Sequence, residues 1–390
     1  MSSLRSRSKV LIVAAVLLTA LSCMKNYGSP TLRSKMRSIQ GDVWSLYTYA
    51  WKPTEFYNDR NSKQIEQLLG RLADSFHNVQ DLSFSESTEP GFAIALSTQG
   101  AVIAEAREAF ASKDRSLANR KLRTLASNCI ACHSRFKVEG NFFGSAPPIA
   151  ASTLENQFAA AEYLFATRQF ERANDELFRL GEMLKVEGID SSYPFTALKL
   201  WLALHIRVKD TPGRALSMLN NFGIDSVDNA FIKEVLLSWV SDLQSLAEAR
   251  HPKHALLVEA ENLLGADLDS RTLEDDIKSL VPTLRATAVL HNLLRGQLPK
   301  KDKKKCMLLL ARAYHHLPIE SLAGNHERYL EELIVRYPGT KEAQVAYDLY
   351  QRDLAQIYGK DSRGVAIVPQ EKKARLAELK ELANRDVTLN

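Results

Sequence analysis

Cys129 and Cys132 stand one helical turn apart in the run Asn128-Cys129-Ile130-Ala131-Cys132-His133, and a histidine follows them directly. The run belongs to a stripe of Ala118, Leu122, Leu125, Cys129, Cys132 and Phe136, spaced by threes and fours. Such spacing puts two thiols and an imidazole near one end of an amphipathic helix. The fold must therefore bring that helix end against a space in which the three groups can act together.

Three further stripes precede this one. The first is Met36, Ile39, Val43, Trp44, Tyr47, Ala50 and Trp51. The second is Ile65, Leu68, Leu69, Leu72, Phe76 and Val79, and the third is Leu96, Ile103, Ala106 and Phe110 after Pro90-Gly91. None alternates like a strand. Turn formers separate them at Pro53, 58–61, 85–91 and Ser112-Lys113-Asp114. Glycine and proline number only 17 and 13 in 390 residues, against many alanines, leucines, lysines and glutamates, so an all-α chain is expected. Four helices with mostly short connections predict a four-helix antiparallel bundle whose core can house a cofactor.

The N-terminus reads as a processing segment. Arg5, Arg7 and Lys9 form a basic leader, and residues 10–21 are apolar but short for a membrane span. Small residues in Ala20-Leu21-Ser22-Cys23 predict removal of a signal peptide, residues 1–22, before Cys23. The same residues resemble a bacterial lipobox, which implies a lipid anchor on Cys23 and a protein held to a membrane without spanning it. The alternative is an ordinary secretory signal with an incidental cysteine. Met24 after Cys23, where inner-membrane lipoproteins carry aspartate, favours the periplasmic side of the outer membrane over the inner. Without the leader the net charge of +5 falls to +2, too little to imply nucleic acid. The basic run 300–305 reads as a solvated loop, with a docking patch for an acidic partner or lipid head groups as the alternative.

The predicted layout is a four-helix domain over 23–140, a linker over 141–152 rich in turn formers, a second helical domain over 153–360 and a tail over 361–390 with one short helix. In the second domain, helix pairs are expected over 154–184, over 196–221 and around 306–350. With Arg336-Tyr337-Pro338-Gly339-Thr340 between helices, this half resembles degenerate tetratricopeptide repeats, which implies a solenoid-like fold with a partner-binding surface. A generic helical domain is the alternative. Cys306, in an apolar run, is expected to be a buried packing residue. Glu248-Ala249-Arg250-His251 occurs once where a di-iron bundle needs two copies, and His251 with His254, and His315 with His316, lack metal-site spacing. No catalytic constellation is legible, so an electron carrier is expected before an enzyme.

Cys-x-x-Cys-His is the attachment motif of c-type haem. Two thiols one turn apart can add to the two vinyl groups of one porphyrin, and the next residue can offer a neutral imidazole to iron. The second imidazole nitrogen needs an acceptor that the sequence does not identify. A redox-active Cys-x-x-Cys would open a helix beside a strand, and a zinc site would need a second ligand pair. Neither context is visible here.

Residues 30–138 resemble the class II c-type cytochromes, the cytochrome c prime group. The resemblance rests on four helices, on the haem motif near the end of the fourth, and on Phe136 and Lys137 shortly after the histidine. It implies one covalent haem c on Cys129 and Cys132 with His133 as axial ligand. It also implies that Met36, on the first helix, is the residue positioned to be a sixth ligand, the alternative being a methionine that only packs on the porphyrin. His77 is a remoter candidate, expected at the surface. Trp44, Tyr47 and Trp51 are expected to fill the core or wall the haem, and Arg33, Lys35, Arg37 and Lys137 are candidates to face its propionates. Three functions follow as expectations. One is electron transfer to a redox partner or envelope complex. A second is gas binding at an open iron site. The third is an envelope scaffold with an accessory haem.

Overall fold

A computed structural model of the chain describes residues 30–86, 90–135, 147, 149, 152–249, 256–319, 322, 325–359 and 367–385. The predicted leader, Cys23, Phe136, Lys137, His251, His254 and most of the expected linker lie outside them, as does the side chain of Arg33. Among the described residues the chain is all-α, with no strand.

The N-terminal part comprises α1 (Pro30–Ala50), α2 (Ser62–Glu86), α3 (Pro90–Ala111), α4 (Arg115–Arg123) and α5 (Leu125–His133). Helix α1 packs on α2, α2 on α3, and α3 on both α4 and α5, while α4 returns to α1. The periodic residues Ile39, Val43, Ile65, Leu69, Leu72, Phe76, Ile103 and Leu122 form one apolar cluster between them. Asp114 caps α4 by accepting from Leu117 N–H at 2.9 Å. Buried Asn119 donates to the Ala50 carbonyl at 2.9 Å, satisfying a helix-end acceptor of α1.

The stripe expected to be one fourth helix is two. Thr124 separates α4 from α5: its N–H and hydroxyl both turn back to the Lys121 carbonyl, the hydroxyl at 2.8 Å. A threonine hydroxyl competing for a backbone acceptor loosens a helix, and the helix restarts as Asn128 N–H bonds the Thr124 carbonyl at 3.2 Å. The apolar spacing hides the break because the stripe runs through it unshifted.

The longer helices of the C-terminal part are α6 (Leu154–Ala166), α7 (Phe170–Glu182), α8 (Ser192–Ala203), α9 (Pro212–Asn220), α10 (Ala230–Glu248), α11 (Leu257–Leu264), α12 (Leu280–Arg295), α13 (Lys300–His315), α14 (His326–Arg336), α15 (Lys341–Tyr358) and α16 (Gln370–Ala383). Most pack on a chain neighbour. Cys306 is fully buried, as expected. Residues 300–305 are not a loop. They open α13, lysine being a good helix former, and Lys304 and Lys305 pair with Glu342 and Glu261 at 2.9 and 2.5 Å.

The two parts share a core. Tyr47, Ile94, Ala126, Ile130 and Ala131 belong to the same apolar cluster as the C-terminal helices. Helix α6 lies along α5, with Arg123 paired to Glu155 and Ser127 donating to Glu162, both at 2.9 Å. Just past α5, buried Arg135 reaches the Gly91 carbonyl at 3.3 Å and the Tyr329 hydroxyl at 3.4 Å, with its guanidinium over the Tyr314 ring. That contact ties the end of the motif helix to α13 and α14.

After α8 the chain widens into a π-helical turn, Leu204–Lys209. Fully buried His205 fixes it: Nε2 donates to Asn174 Oδ1 at 2.8 Å, Trp201 Nε1 donates to the same oxygen at 3.1 Å, and Nδ1 accepts from the Thr211 hydroxyl at 2.9 Å. Burial, with Lys209 and Arg214 nearby, pushes the imidazole pKa down to about 4. An unfolded histidine takes its proton near pH 6.5, so between these values the unfolded chain holds more protons and stability rises with pH. The contribution is full above about pH 6.5 and is lost as pH falls through about 4. Asp242, pushed up to about 6 by burial, works in the opposite sense over the same window. His205→Gln keeps a donor for Asn174 and is expected to remove about 3 kcal/mol of pH dependence relative to the parent, measured by urea unfolding from pH 7 to 4.

Candidate haem-type site

An apolar cavity opens where α1, α2, α3, α5 and α6 meet. Met36, Cys129, Cys132 and His133 all line it. Three come from one turn of α5 and Met36 from α1, so two separate stripes converge on one space. Ile39, Val43, Phe76, Leu96 and Ala126 make its walls apolar. Helix α6 supplies the remaining side through Tyr163 and Ala166, followed by Thr167.

The acceptor that the sequence left unidentified is a backbone group. The Ala166 carbonyl, at the end of α6, faces His133 Nδ1 within a short hydrogen bond. A carbonyl can only accept, so Nδ1 carries the proton and Nε2 keeps the lone pair. Burial, reinforced by the nearby Arg168 charge, pushes the His133 pKa down to about 3, which keeps the ring neutral and able to ligate a metal. Burial and the neighbouring Cys132 push the Cys129 thiol up to about 12. A redox-active thiol needs the opposite shift, so this pair lacks the electrostatics of a disulfide-exchange site. Nor do the Cys129, Cys132 and His133 ligand atoms gather around a single point, as a zinc site would require.

One polar atom stands out in the apolar wall. Gln99 is 4% exposed; its Nε2 lies 3.9 Å from Cys129 Sγ, while its Oε1 has no hydrogen-bond partner. A buried acceptor left unsatisfied beside an apolar cavity marks a place where a bound group or water completes the shell. The apolar walls, the oriented neutral imidazole and the two thiols are the chemistry that suits a porphyrin held through Cys129, Cys132 and His133.

The other sequence-predicted residues divide. Tyr47 is fully buried in the core, its hydroxyl donating to the Arg123 carbonyl at 3.4 Å, and Trp51 carries the Arg123 guanidinium on its face at 4.2 Å. Neither they nor Trp44 line the cavity. His77 is exposed on α2 and also lies off it. Lys35 reaches the Asn78 carbonyl at 3.3 Å and Arg37 is exposed. The cation whose charge acts on Cys132 and His133 is Arg168, 7% exposed and left-handed (φ 60°) in the turn after α6. That backbone conformation is uncommon outside glycine. Gln99, Ala166 and Arg168 had no sequence signal, being an ordinary helix glutamine, a backbone carbonyl and a turn arginine.

No family model, curated protein or solved structure matches the chain. Among the described residues, no helix is long and apolar enough to cross a membrane.

Proposed function

We propose that the chain is an exported monohaem c-type cytochrome of the cytochrome c prime kind, acting in electron transfer. Its N-terminal helices form a four-helix haem bundle, and a solenoid-like repeat domain follows to hold a redox partner or envelope complex. The observation that carries this reading is the convergence of Cys129, Cys132, His133 and Met36 on one apolar cavity. The group supplies one-electron exchange at iron when bound. Cys129 and Cys132 would fix it covalently, and His133 would offer Nε2 to iron. The Ala166 carbonyl holds that ring in register and raises its basicity. Ile39, Val43, Phe76 and Leu96 exclude water, and the buried Arg168 charge helps keep the His133 ring neutral. A leader ending at Cys23 would put the protein in the periplasm, lipid-anchored, with the outer membrane favoured.

Met36 decides between electron transfer and gas binding. Its place in the cavity wall supports a thioether as sixth ligand. The reduced protein is expected to show a low-spin absorption spectrum that carbon monoxide leaves unchanged. Met36→Ala is expected to convert it to a high-spin form that binds carbon monoxide. A high-spin parent spectrum that shifts with carbon monoxide would reject the Met36 bond and turn the reading to a gas-binding site.

A further inference from the structure

A second polar cavity, sharing no lining residue with the first, lies beside α13, α14 and α15. His315 ends α13, His326 opens α14, and Asp353 sits within α15, so three packed helices fix the three side chains. Asp353 is 7% exposed. His315 Nδ1 lies 3.5 Å from one of its carboxylate oxygens and His326 Nε2 lies 3.6 Å from the other. One ligand atom from each residue falls within 4.8 Å of the other two. The His315 and His326 rings are 5.3 Å apart and nearly perpendicular, at 74°.

These separations are long for hydrogen bonds, which cluster near 2.7–3.2 Å. They match a different geometry. Two ligand atoms about 2.0–2.1 Å from a tetrahedral zinc ion stand roughly 3.4 Å apart. Each imidazole thus stands about that far from a different carboxylate oxygen, so one ion could be met by both imidazoles and by either oxygen or both. Neighbouring charges are already engaged: His316 meets both Asp276 oxygens at 3.1 Å, and Arg312 donates to Asp269 at 2.9 Å.

We propose that His315, His326 and Asp353 bind a divalent transition ion, zinc foremost, through two imidazoles and one carboxylate. Imidazole nitrogens exclude magnesium and calcium as preferred occupants, since those ions favour all-oxygen shells. Three protein ligands leave a fourth position for water or a small ligand on the cavity side. The site is independent of the haem reading.

The test must keep the two sites apart, because free Cys129 and Cys132 are themselves zinc ligands. Zinc chloride is titrated against a chromophoric chelator on the full chain carrying Cys129→Ser and Cys132→Ser. One zinc per chain is expected, and Asp353→Asn and His326→Gln are each expected to weaken it by at least about 100-fold. Zinc is expected to raise the melting temperature of the double-serine chain but not of that chain carrying Asp353→Asn or His326→Gln. X-ray absorption at the zinc edge of the same chain carrying Cys129→Ser and Cys132→Ser is expected to show imidazole scattering and no sulfur. A chain that takes up no zinc, a sulfur-ligated spectrum, or folded variants that bind zinc as tightly as the parent would overturn the proposal.

Discussion

Exchanging Cys129 and Cys132 together for alanine, in cells able to mature c-type cytochromes, is expected to give a chain from which acid and organic solvent remove all haem. The parent is expected to keep its haem through the same extraction. The difference follows from the chemistry of attachment: thioether bonds survive denaturation, whereas an imidazole or thioether ligand to iron does not. Both side chains are only partly buried, so the loss should not be a folding failure. Far-ultraviolet circular dichroism is expected to show unchanged helix content in the variant. A parent that loses its pigment as readily as the variant would mean that the two thiols carry no porphyrin.

The second large effect is expected at Tyr163. This residue of α6 is 1% exposed, lines the cavity, and packs on Tyr47 of α1 with ring centroids 5.8 Å apart. It therefore belongs at once to the shared core and to the cavity wall. Truncation to alanine removes a large buried ring and leaves a void, an effect of about 3–5 kcal/mol in urea unfolding. On the haem reading the same change admits water beside the iron. Water stabilises the more highly charged ferric state, so the reduction potential is expected to fall. A control at exposed Tyr57, changed to alanine, is expected to move neither quantity appreciably. If Tyr163→Ala left both stability and potential unchanged, the assignment of α6 as the wall of the site would fail.

What the sequence disclosed is what short-range spacing encodes. Steps of three and four residues announce the helices, and they place Met36 on one stripe and Cys129, Cys132 and His133 at the end of another. Packing both stripes inward is then enough to make them meet. The break at Thr124 was invisible because the apolar register passes through it. The lysine run 300–305 has the charge of a loop but the helix propensity of lysine, and its acidic partners Glu261 and Glu342 come from other helices.

Groups assembled by tertiary packing were out of reach for a different reason. The Ala166 carbonyl that orients His133 is a backbone atom, and any residue could have supplied it. Arg168 acts on the site through a left-handed turn that the surrounding Ala166-Thr167-Arg168-Gln169 does not advertise. His315 and His316, read as a pair, pointed nowhere. In the structure His316 meets Asp276, while His315 joins His326 and Asp353 from two other helices.

All of the haem chemistry rests on a porphyrin joined to the polypeptide. The most direct measurement is the intact mass of the mature, denatured chain purified from cells that mature cytochromes. A mass greater than the processed polypeptide by a single haem is the predicted result. The mass of the bare polypeptide would contradict the account.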